Sequence, residues 1–151
     1  MANPLTIKMV TPEHVALETT ADRVVLPAVE GEMGVLPGHE PFMAQLDVGE
    51  IRITVGGELK SYAVSGGFAE ILNNTISVFA ETAEMADAID EERAKQALER
   101  AAAEAKLGDE KDKMTLADAE NALKRARVRL RVAKFRKRRG SSPSRVPESD
   151  L

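Results

Sequence analysis

The chain changes its apolar period once, and that change limits what it can fold into. Before Asp87 the apolar residues fall in short β-branched or alternating runs; in the second of the two helical stretches after it they fall three and four apart. Leu5, Ile7 and Met9 alternate with Thr6 and Lys8, which buries one face of a sheet. Short β-branched runs follow at 15–20, 23–27, 51–55, 59–64, 68–72 and 75–80. Gly56 with Gly57, and Asn73 with Asn74, separate adjacent runs. Both pairs tolerate the positive φ that two-residue hairpin turns require. Many short strands indicate an antiparallel sandwich or barrel. The segment 31–41, GEMGVLPGHEP, has three glycines and two prolines and reads as an irregular exposed loop.

From Asp87 the residues are helix formers. In 88–108, Asp90 is placed to cap a helix, Glu91 and Glu92 suit its positive end, and Gly108 stops it. Thr115 with Asp118 resembles a capping box that starts a second helix. There Leu116, Ala119, Leu123, Ala126, Leu130 and Ala133 form a narrow apolar seam for one partner helix. Alanine buries little area, so the hairpin is expected to be weakly held and mobile. The fold class read from this is α+β, an N-terminal antiparallel β-sandwich followed by a C-terminal two-helix antiparallel hairpin. The expected domains are 1–86, 87–139 and a disordered tail over 140–151, which is rich in Ser and Pro.

Composition removes several classes of function. The 151 residues include no cysteine, so there is no disulfide framework and no Cys-ligated metal. His14 and His39 are the only histidines, and no HExxH or EF-hand pattern is present, so no metal site is expected. No P-loop occurs, which excludes an ordinary nucleotide-hydrolysis site. The N-terminal segment has no signal-peptide pattern, and no apolar run reaches the roughly 18–20 residues of a membrane span, so a soluble, non-secreted protein is expected.

Charge is segregated. Residues 1–85 hold four basic and twelve acidic side chains, whereas 124–139 hold ten basic and no acidic ones. A solvated helix face is the ordinary reading of such a run. Without a single acid, however, no i,i+4 pair relieves the repulsion, and an acidic partner surface is favoured. A nucleic-acid-binding module built on the 124–139 helix is the alternative. The acidic β domain and the absence of an aromatic stacking platform weigh against it. A membrane-surface helix would have only Val132 and Phe135 as apolar anchors.

VTPEHV (10–15), VVLPAVEGEMGVLPGHEPF (24–42), GGFAEI (66–71), IDEERA (89–94) and ALKRARVRL (122–130) occur in that order. With them the chain resembles the epsilon subunit family of F-type ATP synthases over about residues 4–135. The resemblance implies a ten-stranded sandwich and a helical hairpin in a non-catalytic central-stalk subunit. Its partners would be the gamma subunit, the proton-conducting c-ring and the beta subunits of the catalytic head, with no nucleic acid. The hairpin would restrain ATP hydrolysis when extended. Membrane association would arise only through the complex, peripherally on the cytoplasmic face of the bacterial inner membrane.

The resemblance also assigns candidate residues, none of them catalytic. Glu32, His39 and Glu40 would face the c-ring, and Lys124, Arg127, Arg131 and Lys134 the acidic segment of the beta subunits. No cofactor is required, but ATP is implied as a regulatory ligand. Ile89, Asp90, Arg93 and Ala94 match the motif that binds it in certain bacterial relatives, and Glu84, Arg100, Arg125 and Arg129 align with further contacts. The plainer reading is that Asp90 caps its helix and the arginines pair with Glu91, Glu92 and Glu104. His14 is expected to end a turn after Pro12. Gly66, Gly67, Phe68 and Glu70 read as ordinary sheet packing, Phe68 above all.

Overall fold

The computed structural model describes residues 3–107 and 113–140, with side chains described over 3–103 and 117–134. Eight strands come first: β1 Leu5–Val10, β2 Val15–Ala21, β3 Arg23–Ala28, β4 Gly31–Val35, β5 Phe42–Val55, β6 Glu58–Leu72, β7 Thr75–Ala80 and β8 Ala83–Met85. A 3₁₀ turn, Ala86–Ala88, leads to helices α1 Glu91–Leu107 and α2 Lys113–Gly140.

The strands are hydrogen-bonded in the order β2-β1-β7-β6-β5-β3-β4, with β8 on the free edge of β6. Two long strands explain how one ladder makes two layers. The Phe42–Leu46 part of β5 pairs with the Gly67–Ile71 part of β6, beside β7, β1 and β2. The Val48–Val55 part pairs with Glu58–Ser65, beside β3, β4 and β8. The ten strands implied by the resemblance are therefore eight, two of which serve both layers. The pairing is antiparallel except for β1 with β7, which is parallel.

Local chemistry sets the bends. Gly56 and Gly57, at φ 57 and 82, turn β5 into β6, and Asn73 and Asn74, at φ 50 and 57, turn β6 into β7. Both are the left-handed pairs that the sequence suggests. Gly67 has φ +125, and a Cβ there would stand 2.0 Å from the Phe79 carbonyl oxygen. Only glycine lets β6 cross so close to β7 at its bend. The expected irregular loop over 31–41 begins instead with a strand: β4 forms a hairpin on β3, from Val24–Val35 to Ala28–Gly31. Its glycines masked a pattern that the β3 edge supplies through its own hydrogen bonds.

Between the layers Leu5, Ile7, Leu26, Ile51, Ile53, Ile71, Ile76 and Val78 are essentially inaccessible. A second, smaller apolar cluster joins the hairpin to the outer side of β5 and β6. It contains Ala63, Ala86, Ile89, Ala94, Val128, Val132 and Ala133, with Val48 and Leu130 at its margin.

The hairpin differs in detail from its expectation. Helix α2 is already formed at Lys113, so Thr115 lies inside the first turn and not at the cap. The proposed stop at Gly108 falls outside the described residues, as do the tail beyond Gly140 and the side chains of Leu116, Glu104 and Phe135. Ala126 and Ala133 of the seam are buried, and Ala119, Leu123 and Leu130 half-buried. Val128 and Val132 form an additional buried stripe that faces the sandwich. Val132, one of the two apolar residues a membrane-surface helix would have had for anchors, is fully buried. Among the described residues no helix is long and apolar enough to cross a membrane.

Candidate functional site

Helix α2 lies on the outer face of the β5–β6 layer along its Val128–Val132 ridge, and its cations reach acids on either side. Lys124 Nζ donates to both carboxylate oxygens of Asp47, at 2.6 and 2.7 Å. Arg129 clasps Glu84 on β8 with Nε to Oε2 at 2.6 Å and Nη2 to Oε1 at 2.9 Å. The ammonium beside Asp47 holds that carboxyl below the usual range, mainly through the hydrogen bond itself. The acidic surface sought by the basic helix is thus in part the chain's own sandwich. Sequence could not supply this, because Asp47 and Lys124 are 77 positions apart.

Beneath the pair of helices is a cavity of about 430 Å³, within the roughly 300–1,000 Å³ of ligand clefts. Glu84, Arg100, Arg125 and Arg129 line it, so the four residues aligned with further nucleotide contacts share one space. Ser65 and Thr82 add hydroxyls, which also bond each other. Among the described residues Arg129 is tied to Glu84, whereas Arg100 and Arg125 form no ion pair. One guanidinium from each helix is therefore available to an anion, a geometry suited to phosphate.

Of the motif residues, Ile89, Asp90, Arg93 and Ala94 are all absent from the cavity lining. Asp90 Oδ1 accepts the Arg93 backbone N–H at 3.1 Å, the helix-capping bond expected of it. Arg93 itself is exposed. Residues that sequence reasoning omitted are Ser65, Thr82 and Asp47. No local signal marks any of the three; Asp47 lies at the step of the β5–β6 ladder between the pairs Leu46–Gly67 and Val48–Ser65, a position only the structure reveals.

The remaining candidates lie elsewhere. Arg127, Arg131 and Lys134 are exposed and form no ion pair with the described residues. Glu32 on β4 is engaged by Arg52, with Nη1 and Nη2 at 3.1 and 2.8 Å from its two oxygens. This contact, and to a smaller degree the charge of Arg131, hold the Glu32 carboxyl below its usual range. Glu40 is exposed, and His39 Nδ1 lies 2.7 Å from the Glu40 carbonyl oxygen in the loop after β4. His14 closes the turn after Pro12, its carbonyl accepting the Thr11 backbone N–H at 2.9 Å. Among the described residues no three metal-ligating side chains cluster.

Phe68 packs across the sheet on its partner Phe79, but outside the core. It is 45% exposed on the outer side of the other layer, stacked on Phe79 with ring centroids 4.9 Å apart. The tight turn at Asn73 and Asn74 fixes this, because it sets Phe68 opposite Phe79 and both on the face of Glu70 and Ser77. Met43, opposite Glu70, and Leu72 extend the apolar surface there, both exposed.

Comparison with known proteins matches residues 4–86 to the family described as ATP synthase, Delta/Epsilon chain, beta-sandwich domain. Residues 87–134 match the ATP synthase, Delta/Epsilon chain, long alpha-helix domain. The ATP synthase epsilon chain of Herpetosiphon aurantiacus is 47% identical over 136 residues, covering 90% of this chain and 98% of the relative. That of Macrococcus caseolyticus is 48% identical over 139 residues, covering 89% and 99%. A chain of the Euglena gracilis mitochondrial ATP synthase, in an assembly of OSCP, F1 and c-ring, superposes with a TM-score of 0.74 at 27% identity. That match covers 87% of this chain and 81% of the other.

Proposed function

The chain belongs to the ATP synthase delta/epsilon family, and from that premise we propose that it is a central-stalk subunit whose sandwich grips the rotor while its hairpin restrains ATP hydrolysis. It is a non-catalytic subunit of a membrane-associated complex. The restraint is supported above all by one observation: α2 docks on its own sandwich through a thin ridge and, among the described residues, two ion pairs, while Arg127, Arg131 and Lys134 stay exposed. Such an element can leave its seat and offer the same cations to the acidic beta subunits of the head.

The Phe68–Phe79 surface, with Met43 and Leu72, is the face we assign to the gamma shaft. An exposed stacked aromatic pair flanked by Met and Leu is the kind of surface an obligate partner covers. The loop bearing His39 and Glu40, and Glu32 at the other end of β4, face the c-ring in this arrangement. The whole is peripheral on the cytoplasmic side of a bacterial membrane, held there by the complex.

The cavity takes ATP as a regulatory ligand. Arg100 and Arg125 hold phosphate, so that occupancy ties α1, α2 and the sandwich together and favours the docked hairpin. No hydrolysis is expected there, because the sequence has no P-loop. ATP calorimetry on the chain and on the Arg100→Ala, Arg125→Ala variant tests this; equal heats would remove the ligand site.

The test of the main reading is reconstitution of the rotary complex with the full chain or with a chain ending at Ala88. Hydrolysis should rise with the shorter chain while shaft binding is retained. Unchanged hydrolysis would contradict the restraining role.

A further inference from the structure

Of the two ion pairs that seat α2 among the described residues, one borders the ligand cavity and the other does not. Arg129 and Glu84 line the cavity, so a bound anion perturbs them directly. Lys124 and Asp47 lie outside it, half-exposed on the opposite flank of the Val128–Val132 ridge. Asp47 is held independently of Lys124, because its Oδ1 also accepts its neighbour Val48's backbone N–H at 2.8 Å. It sits at the unpaired step of the β5–β6 ladder, where β5 passes from one layer to the other. A fixed carboxylate on the rigid layer therefore meets a lysine on the separable element.

We propose that Asp47 is a ligand-independent latch that holds the hairpin down by occupying a cation the catalytic head would otherwise use, an inference that rests on the docked-and-released hairpin proposed above. The sandwich in this way imitates the acidic partner. It competes for Lys124 at high effective concentration, and the competition sets how much of the chain is released when no nucleotide is bound. An exposed pair of this kind is worth about 0.2–1 kcal/mol, so its loss multiplies the released population up to about five-fold.

The sign of the effect separates a latch from a merely structural residue. Asp47→Asn keeps an oxygen for the Val48 N–H and leaves Lys124 intact for the head. It should therefore strengthen inhibition in the reconstituted complex, where damage to the fold would weaken it. The chain has no native cysteine, so paired labels at Lys60→Cys and Glu120→Cys, both exposed, report the hairpin's position in the full-length protein by distance measurement.

Without ATP, Asp47→Asn should raise the released fraction about two- to five-fold, and Asp47→Lys with Lys124→Asp should return it towards the parent. ATP affinity should fall only by the change in docked fraction. Val132→Asp, which buries a charge in the ridge, serves as the control for release. If Val132→Asp releases the hairpin and Asp47→Asn leaves the fraction unchanged, the latch is wrong. Should neither variant alter the distances, the released hairpin itself, and with it the parent reading, fails.

Discussion

The sandwich and the hairpin bury different kinds of side chain. Between the sandwich layers lie Leu5, Ile7, Met9, Leu26, Ile51, Ile53, Ile71 and Ile76, each essentially without solvent contact. The hairpin buries Ala94, Ala101, Ala126 and Ala133, and its larger contributions are Ile89, Val128 and Val132. Since stabilisation follows apolar area at about 25 cal/mol per Å², the sandwich keeps its shape without the hairpin, whereas the hairpin depends on its seat. Its helices approach closely through alanine, and its ridge is fixed at the flanks by Lys124–Asp47 and Arg129–Glu84. Polar pairs of this type fix position more than they add stability. On the proposed reading, the difference shows how residue size and charge alone would let one chain combine a permanent anchor with a removable arm.

The contrast can be broken most forcefully in the sandwich. Ile53→Ala should lower the unfolding free energy by about 2–5 kcal/mol, read by denaturant titration, because the site cannot collapse around the missing atoms. Val132→Ala should act on the hairpin alone. Two lost methyl groups amount to about 1.5 kcal/mol, seen as faster exchange of α2 amides with the sandwich transition unmoved. Asp90→Ala removes the bond to the Arg93 N–H and should weaken the start of α1 by about 1 kcal/mol, measured by helicity on thermal melting.

The smallest effect is that of pH. Asp47 and Glu32 both have carboxyls lowered by their cationic partners. Their contribution is present above the unfolded-state values, about 4, and is lost as pH falls through the still lower folded-state values. Of the two, Asp47 alone is paired with α2, whereas Glu32 is held mainly by Arg52 within the sandwich, so hairpin docking should be level from pH 5 to 8 and loosen only below about pH 4. A change centred near pH 6.5 would point to a histidine instead.

Much of this architecture can be read from local pattern. Alternation locates β1, β2, β3 and β7, and the Asn73–Asn74 and Gly56–Gly57 turns are visible as dipeptides because positive φ demands them. The strand β4 is not legible, since its glycines resemble a loop until β3 pairs with it. The union of 59–64 and 68–72 into one β6 is hidden by Gly66 and Gly67, which bend the strand without ending it. Phe68 was accessible in principle: counting outward from Asn73 and Asn74 places it opposite Phe79 on the face of Glu70. What no local pattern holds is the joining of distant charges. That Arg100, Arg125, Arg129 and Glu84 share a cavity depends on how the hairpin is laid across β6 and β8, and Asp47 is drawn in only by the position of Lys124.

Hydrogen exchange across the full-length chain, with and without ATP, measures the separability of arm and anchor most directly. The account predicts that α1 and α2 amides exchange through an opening that leaves the β1, β5, β6 and β7 amides protected, and that ATP slows the helices selectively. Exchange of helices and strands through a single common opening, insensitive to ATP, would contradict it.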